Sequence, residues 1–90
     1  MIVNEQEFKE NLVKKGYGEP AVREREPNLN KEMHTHDKSA MALVTAGELT
    51  LVYENNSISY GPVECCELLA GTLHTEKTGP KGAITVLAHK

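Results

Sequence analysis

The chain has 90 residues, with 13 acidic and 10 basic side chains and a formal net charge of −3. This length supports one hydrophobic core and is too short for two. The acidic balance excludes a strongly basic surface for duplex nucleic acid, and no apolar run is long enough to span a membrane. We therefore expect one soluble, cytoplasmic domain without a nucleic-acid or membrane partner.

A short helix is predicted near the amino terminus. Asn4 is a favourable N-cap, and Glu7 follows three residues later, as in a capping box. Phe8 and Leu12 form a narrow apolar stripe, and Gly16 is typical of a helix end. We expect this helix to pack against a sheet through that stripe.

Short strands separated by turn residues are predicted for the rest of the chain. Alternating charges between two prolines over 21–26 indicate an exposed or edge strand. Gly47 is predicted to separate two strands, and 78–82 is predicted to be a loop. Six or seven close strands after one helix favour an all-β sandwich or barrel, within a single domain over 1–90. The helix and a linker occupy 1–18 and the barrel 19–90, with strands at 21–26, 41–46, 48–53, 58–60, 65–69 and 83–88.

Two histidines mark the first candidate site. His34 and His36 are separated by one residue, so in an extended strand both side chains lie on the same face. Their ring nitrogens can then converge on one metal ion. Such pairs also occur on protein surfaces without any ion, so this spacing alone leaves both interpretations open.

The wider pattern resembles the small single-domain cupins of the cupin-2 type. His34, His36 and Gly47 match the first cupin motif, and Gly71 and His74 match the second. The resemblance covers residues 29 to 88. It implies a jelly-roll barrel, also called a double-stranded β-helix, with a divalent metal held by the three histidines.

The sequence departs from the cupin pattern at the metal-binding glutamate. Ala40 occupies that position, or Met41 if the longer spacing applies, and neither can bind a cation. Leu69 and Thr78 replace the usual proline and asparagine of the second motif. The implied ligand set is three neutral imidazoles, which favours an anionic ligand because the charge of the ion stays uncompensated.

The ligand type leaves several metals open, namely Fe, Mn, Co, Ni, Cu and Zn. Within the cupins, three-histidine sites occur among iron-dependent thiol and diketone dioxygenases. Because the ligands must be neutral, we expect the affinity for metal to fall below about pH 6.

The cysteines, two tyrosines and the last histidine are interpreted as structural or solvent-exposed residues without a role in chemistry. Cys65 and Cys66 are neighbours that point to opposite faces of a strand, so both are interpreted as reduced thiols. Tyr53 and Tyr60 are expected to close a small core. His89, next to the carboxyl terminus, is interpreted as a solvated tail residue.

Three functions follow from the resemblance. The first is a metal-dependent enzyme of the oxygenase or isomerase type that acts on a small polar molecule. The second is a non-catalytic ligand-binding or sensing module, similar to the effector-binding cupin of sugar-responsive transcription regulators. The third is a structural homodimer with a vestigial site, paired through the strand segment before His34.

Overall fold

The computed structural model describes residues 4–90, which form one helix and five antiparallel strands. The elements are α1 (Glu5–Lys14), β1 (Ala21–Arg25), β2 (Ala40–Val52), β3 (Ser57–Tyr60), β4 (Cys65–Leu68) and β5 (Thr75–His89). The sheet order is β1-β5-β2-β3, and β4 also pairs with β2. Among the described residues, no helix has the length and apolarity that crossing a membrane requires.

Two long strands, β2 and β5, pair with each other at the centre of the sheet. They pair from Ala40 opposite His89 to Val52 opposite Thr75. The other edge of β2 is shared, because β4 pairs with its first part and β3 with its last part. The predicted all-β barrel with a short amino-terminal helix is confirmed.

Two predicted breaks in the strands are wrong. Gly47 lies inside β2, and the segment 78–82 lies inside β5. The register between the two strands shifts on either side of Gly47. Gly47 and Gly82 both have positive φ angles, of 77° and 73°, so the glycines bend a continuous pair of strands instead of ending it. The same bending explains why five strands stand where six or seven were predicted.

Helix α1 has the predicted local signals. The Asn4 side chain accepts a hydrogen bond from the backbone N–H of Glu7 at 2.8 Å, and Gly16 adopts a left-handed conformation with φ of 80° just past the helix end. The predicted packing of the helix against the sheet is confirmed. The buried cluster between the helix and the outer face of the sheet comprises Phe8, Leu12, Tyr17, Met41, Leu43, Cys65, Val86 and Ala88.

The opposite face of the same strands lines the inside of the barrel. Side chains alternate along β2, so Ala42 points inward while its neighbours Met41 and Leu43 point toward the helix. A cavity of about 30 Å³ remains inside, which is room for one or two water molecules. The cavity is lined by Arg25, Ala40, Ala42, Leu49, Leu51, Cys66, Leu68, Glu76, Thr85 and Leu87.

Candidate metal centre

Backbone pairing brings two of the three histidines together. His34 lies in the connection between β1 and β2, and His74 immediately precedes β5. The two residues form an isolated antiparallel bridge. The His34 N–H donates to the His74 carbonyl at 2.7 Å, and the His74 N–H donates to the His34 carbonyl at 2.9 Å. The long connection is therefore fixed to the start of β5 at the position of these two side chains.

All three imidazoles converge. One ring nitrogen from each of His34, His36 and His74 lies within 4.8 Å of the other two. The ring centroids are 4.6 to 5.2 Å apart. His36 lies two residues after His34 in the same connection, outside any strand, and its ring joins the pair formed by the bridge.

Backbone carbonyls fix the tautomers of two rings. The Nδ1 atom of His34 lies 2.7 Å from the Glu32 carbonyl oxygen, and the Nδ1 atom of His74 lies 2.8 Å from that of Thr72. A carbonyl oxygen only accepts, so each Nδ1 carries the proton and each Nε2 keeps its lone pair. Metal-binding histidines in proteins are typically oriented by such a bond.

The Nε2 atom of His74 is buried and has no hydrogen-bond partner among residues 4–90. The residue is only 1% exposed. An unpaired buried polar atom costs about 1–3 kcal/mol, and a metal ion shared with the neighbouring rings would satisfy it. Three imidazole nitrogens are a donor set that suits divalent first-row transition metals.

The cluster opens to solvent on the side of His36. That residue is exposed, whereas His34 is half-buried. Desolvation of the ring, followed by the charges of His34 and His74, lowers the pKa of His36. The lowered pKa favours the neutral form, which is the form that binds a metal.

Alanine stands at the position where the resemblance to cupins implies a carboxylate. Ala40 lies in β2 between Leu68 on one side and His89 on the other and lines the barrel cavity. His89 is exposed, as the interpretation of a solvated residue requires, although it forms the last residue of β5. Among the described residues, His89 does not belong to the converging donor group.

Sequence reasoning missed an ion pair inside the barrel. Arg25 binds Glu76 through two nitrogen–oxygen contacts of 2.5 and 3.4 Å, and the two side chains are only 12% and 17% exposed. Burial alone would raise the pKa of Glu76, but the hydrogen bond and the charge of Arg25 outweigh burial and lower it. The spacing of His74 and Glu76, which repeats that of His34 and His36, was a signal that could have placed this acid near the site.

Both cysteines are free, as predicted. Cys65 is buried under the helix, and Cys66 lines the cavity. Burial, followed by the nearby Cys65 and Glu76, raises the pKa of Cys66 to about 12, so this thiol is protonated at neutral pH. Tyr60 packs against a second small core, as expected for a residue that closes one.

Solved structures share this fold at low sequence identity. A cupin-2 domain protein from Shewanella frigidimarina has 16% identity and a TM-score of 0.60, over 77% of this chain and 65% of that one. A protein of unknown function from Rhizobium leguminosarum has 17% identity and a TM-score of 0.68, over 99% and 97%. The polyketide cyclase RemF from Streptomyces resistomycificus has 23% identity and a TM-score of 0.59, over 82% and 67%.

These likenesses establish the class of fold. The chain has the fold of a small cupin-type domain, which the spacing of its histidines and glycines predicted. It spans 65% of the length of the Shewanella protein. No protein-family model and no curated protein matches the sequence.

Proposed function

We propose that the chain binds one divalent first-row transition metal through His34, His36 and His74. The observation that carries this proposal is the buried Nε2 atom of His74, which has no partner within the described residues. It belongs to a group of nitrogens within 4.8 Å of one another. The carbonyl bonds to the other ring nitrogens of His34 and His74 support it, because they leave the lone pairs directed to the cluster.

We further propose metal-dependent chemistry of the oxygenase or isomerase type on a small anionic molecule. When bound, the ion supplies Lewis acidity and open coordination positions. Three neutral imidazoles leave its positive charge uncompensated, which favours an anion. The inner cavity, of about 30 Å³, admits only water-sized molecules. The substrate would therefore approach from the exposed side of His36.

A non-catalytic binding or sensing module is the second candidate. Two nearby groups that could act as a base are not free to do so. Glu76 is paired with Arg25, and the Cys66 thiol stays protonated because its pKa is raised to about 12. A metal centre without an available base suits ligand capture better than proton transfer.

Elemental analysis of protein purified without an affinity tag tests the metal. We expect one equivalent of a first-row metal, either as purified or after reconstitution, and its loss in His74→Ala. His89→Ala is the matched control, since this histidine lies outside the donor group and the variant should keep the metal. Protein that stays metal-free after reconstitution would contradict the proposal.

Turnover distinguishes the two candidate functions. A panel of small carboxylates is incubated with the metal-loaded protein, and oxygen uptake and products are measured. An enzyme would show turnover that is lost in His36→Ala. A binding module would show thermal stabilisation by one of these carboxylates without turnover.

We also propose a homodimer that pairs through β1. This strand pairs with β5 alone among the described strands, so its other edge is open, and open edges pair readily with a second chain. Light scattering at micromolar concentration tests the proposal, and a monomer would contradict it.

A further inference from the structure

Glu76 is a largely buried carboxylate two residues after His74, one of the proposed metal ligands. It follows His74 by two residues in continuous extended backbone. Residues i and i+2 of a strand share one face and are about 6.6 Å apart. The extended backbone therefore places the Glu76 carboxylate on the same face as His74, within reach of the proposed centre as a fourth ligand.

Arg25 holds that carboxylate. Both oxygens of Glu76 are engaged, at 2.5 and 3.4 Å from two guanidinium nitrogens. The pair is largely shielded from water, with 12% and 17% of the side chains exposed. A buried ion pair resists separation, because moving one partner away leaves the other charge uncompensated. Glu76 does not join the converging donor group in this arrangement.

We propose that Arg25 is a positioning residue that keeps Glu76 out of the metal coordination sphere and so maintains a three-imidazole centre with an open position for an anionic ligand. This inference rests on the proposed function, since it concerns the same metal site. Without Arg25, Glu76 would bind the ion, fill an open position and neutralise part of its charge. The metal would then be held more tightly, and external anions would bind more weakly.

Titration with Co²⁺, followed by visible absorption, tests this in the intact protein, with azide as the anionic probe. Arg25→Met removes the charge but keeps most of the side-chain length. We expect Co²⁺ to bind at least about tenfold more tightly, azide to bind at least about tenfold more weakly, and the absorption spectrum to change as a ligand is added. Adding Glu76→Gln to this variant should reverse all three changes.

Arg23→Met is the matched control. Arg23 lies two residues earlier in β1 and is exposed, so the variant removes the same charge without releasing Glu76 and should behave like the unchanged protein. If Arg25→Met leaves the Co²⁺ affinity and spectrum unchanged, the ion pair is only structural and the inference is overturned.

A single Glu76→Gln variant keeps the inference testable if Arg25→Met does not fold. With Arg25 present, Glu76 is not a ligand, so the Co²⁺ spectrum should stay as in the unchanged protein. A spectrum that indicates a lost ligand would overturn the inference. An unchanged protein that binds no Co²⁺ at all would instead show that the proposed metal site itself is wrong.

Discussion

Gly47 in β2 lies so close to the backbone of Gly82 in β5 that position 47 has no room for a side chain. A Cβ atom on Gly47 would overlap the carbonyl oxygen of Gly82 and lie 2.9 Å from the Cα atom of Ala83. Both atoms belong to the backbone and cannot move aside as a flexible side chain does. The bend that closes the barrel therefore depends on glycine at position 47.

Gly47→Ala should destabilise the fold strongly. The positive φ angle costs about 1–2 kcal/mol for alanine, and the overlap with β5 adds about 1–3 kcal/mol or more. Gly71→Ala is the control, because Gly71 has a similar φ of 81° and nothing within 4 Å of the added carbon. Urea unfolding measures both variants, and an equal loss of stability would contradict the role of the overlap.

Val63 is held in a strained conformation. Its φ angle is 63°, a region that β-branched residues avoid, and its side chain is 48% exposed. Hydrogen bonds maintain the turn, with the Val63 N–H donating to Val44 at 2.9 Å and the Glu64 N–H donating to Gly61 at 3.1 Å. Strain of this kind costs about 1–3 kcal/mol.

Val63→Gly should therefore stabilise the protein. The relief of strain outweighs the added flexibility of the unfolded chain, which costs about 0.5–1 kcal/mol, so we expect a net gain of about 1 kcal/mol in the free energy of unfolding. Val63→Ala keeps a Cβ atom and should gain less. Thermal unfolding provides the measurement, and a lower melting temperature for the glycine variant would show that Val63 contributes packing that outweighs its strain.

Glu67 in β4 accepts hydrogen bonds from two residues that follow α1, and its contribution to the free energy of unfolding should depend on pH. The hydrogen bonds from Lys15 and Tyr17, at 2.8 and 2.6 Å, lower the pKa of Glu67 below its usual 4.5. The folded protein thus releases this proton more readily than the unfolded chain. The resulting stabilisation is complete above the unfolded pKa and is lost as the pH falls through the folded pKa.

The difference in unfolding free energy between the unchanged protein and Glu67→Gln should therefore shrink as the pH falls from about 6 to about 3.

Tyr17 gives the opposite dependence of stability on pH. Burial, followed by its hydrogen bond to Glu67, raises the pKa of Tyr17 above its usual 10.0, so its contribution is lost as the pH rises above that value. Chemical unfolding across pH measures both, with Tyr17→Phe removing the alkaline effect. A difference that does not change with pH would contradict the assignment.

Metal binding should stabilise the fold through His34 and His74. Their bridge fixes the long connection to β5 with two backbone hydrogen bonds, and a shared ion would add a second link. At a free metal concentration of 100 times Kd, the expected gain is about 2.7 kcal/mol. Melting with and without Zn²⁺ should show an upward shift that His74→Ala abolishes and His89→Ala retains. A shift of equal size in His74→Ala would place the ion elsewhere.

The sequence was most informative where the determining residues are close together. The cap at Asn4 and the end at Gly16 belong to one short segment, and the helix between them is as predicted. The alternation of charges correctly placed β1 at a sheet edge. Gly47 was misinterpreted because a glycine within an apolar run is compatible with a strand end and with a bend, and only the partner strand decides between them.

The ion pair inside the barrel illustrates the limit of local patterns. Arg25 belongs to a run of alternating charges that predicts exposure, yet its partner, Glu76, lies 51 residues away in sequence. Only the pairing of β1 with β5 shows that this arginine points inward. The three histidines were recognisable because cupins space them in a known way, whereas the residue that restrains Glu76 carries no such pattern.

The alternation along β2 has a consequence for changes in chain length. Met41 and Leu43 pack under the helix, while the small side chains of Ala40 and Ala42 line the cavity inside the barrel. Deleting one residue from this strand would exchange the two sets, turning bulky side chains into the lumen and exposing the helix-binding surface at once. A change in chain length is therefore better tolerated in the turn after Val52, outside β2, than within 40–44, where it would disturb both faces of the strand.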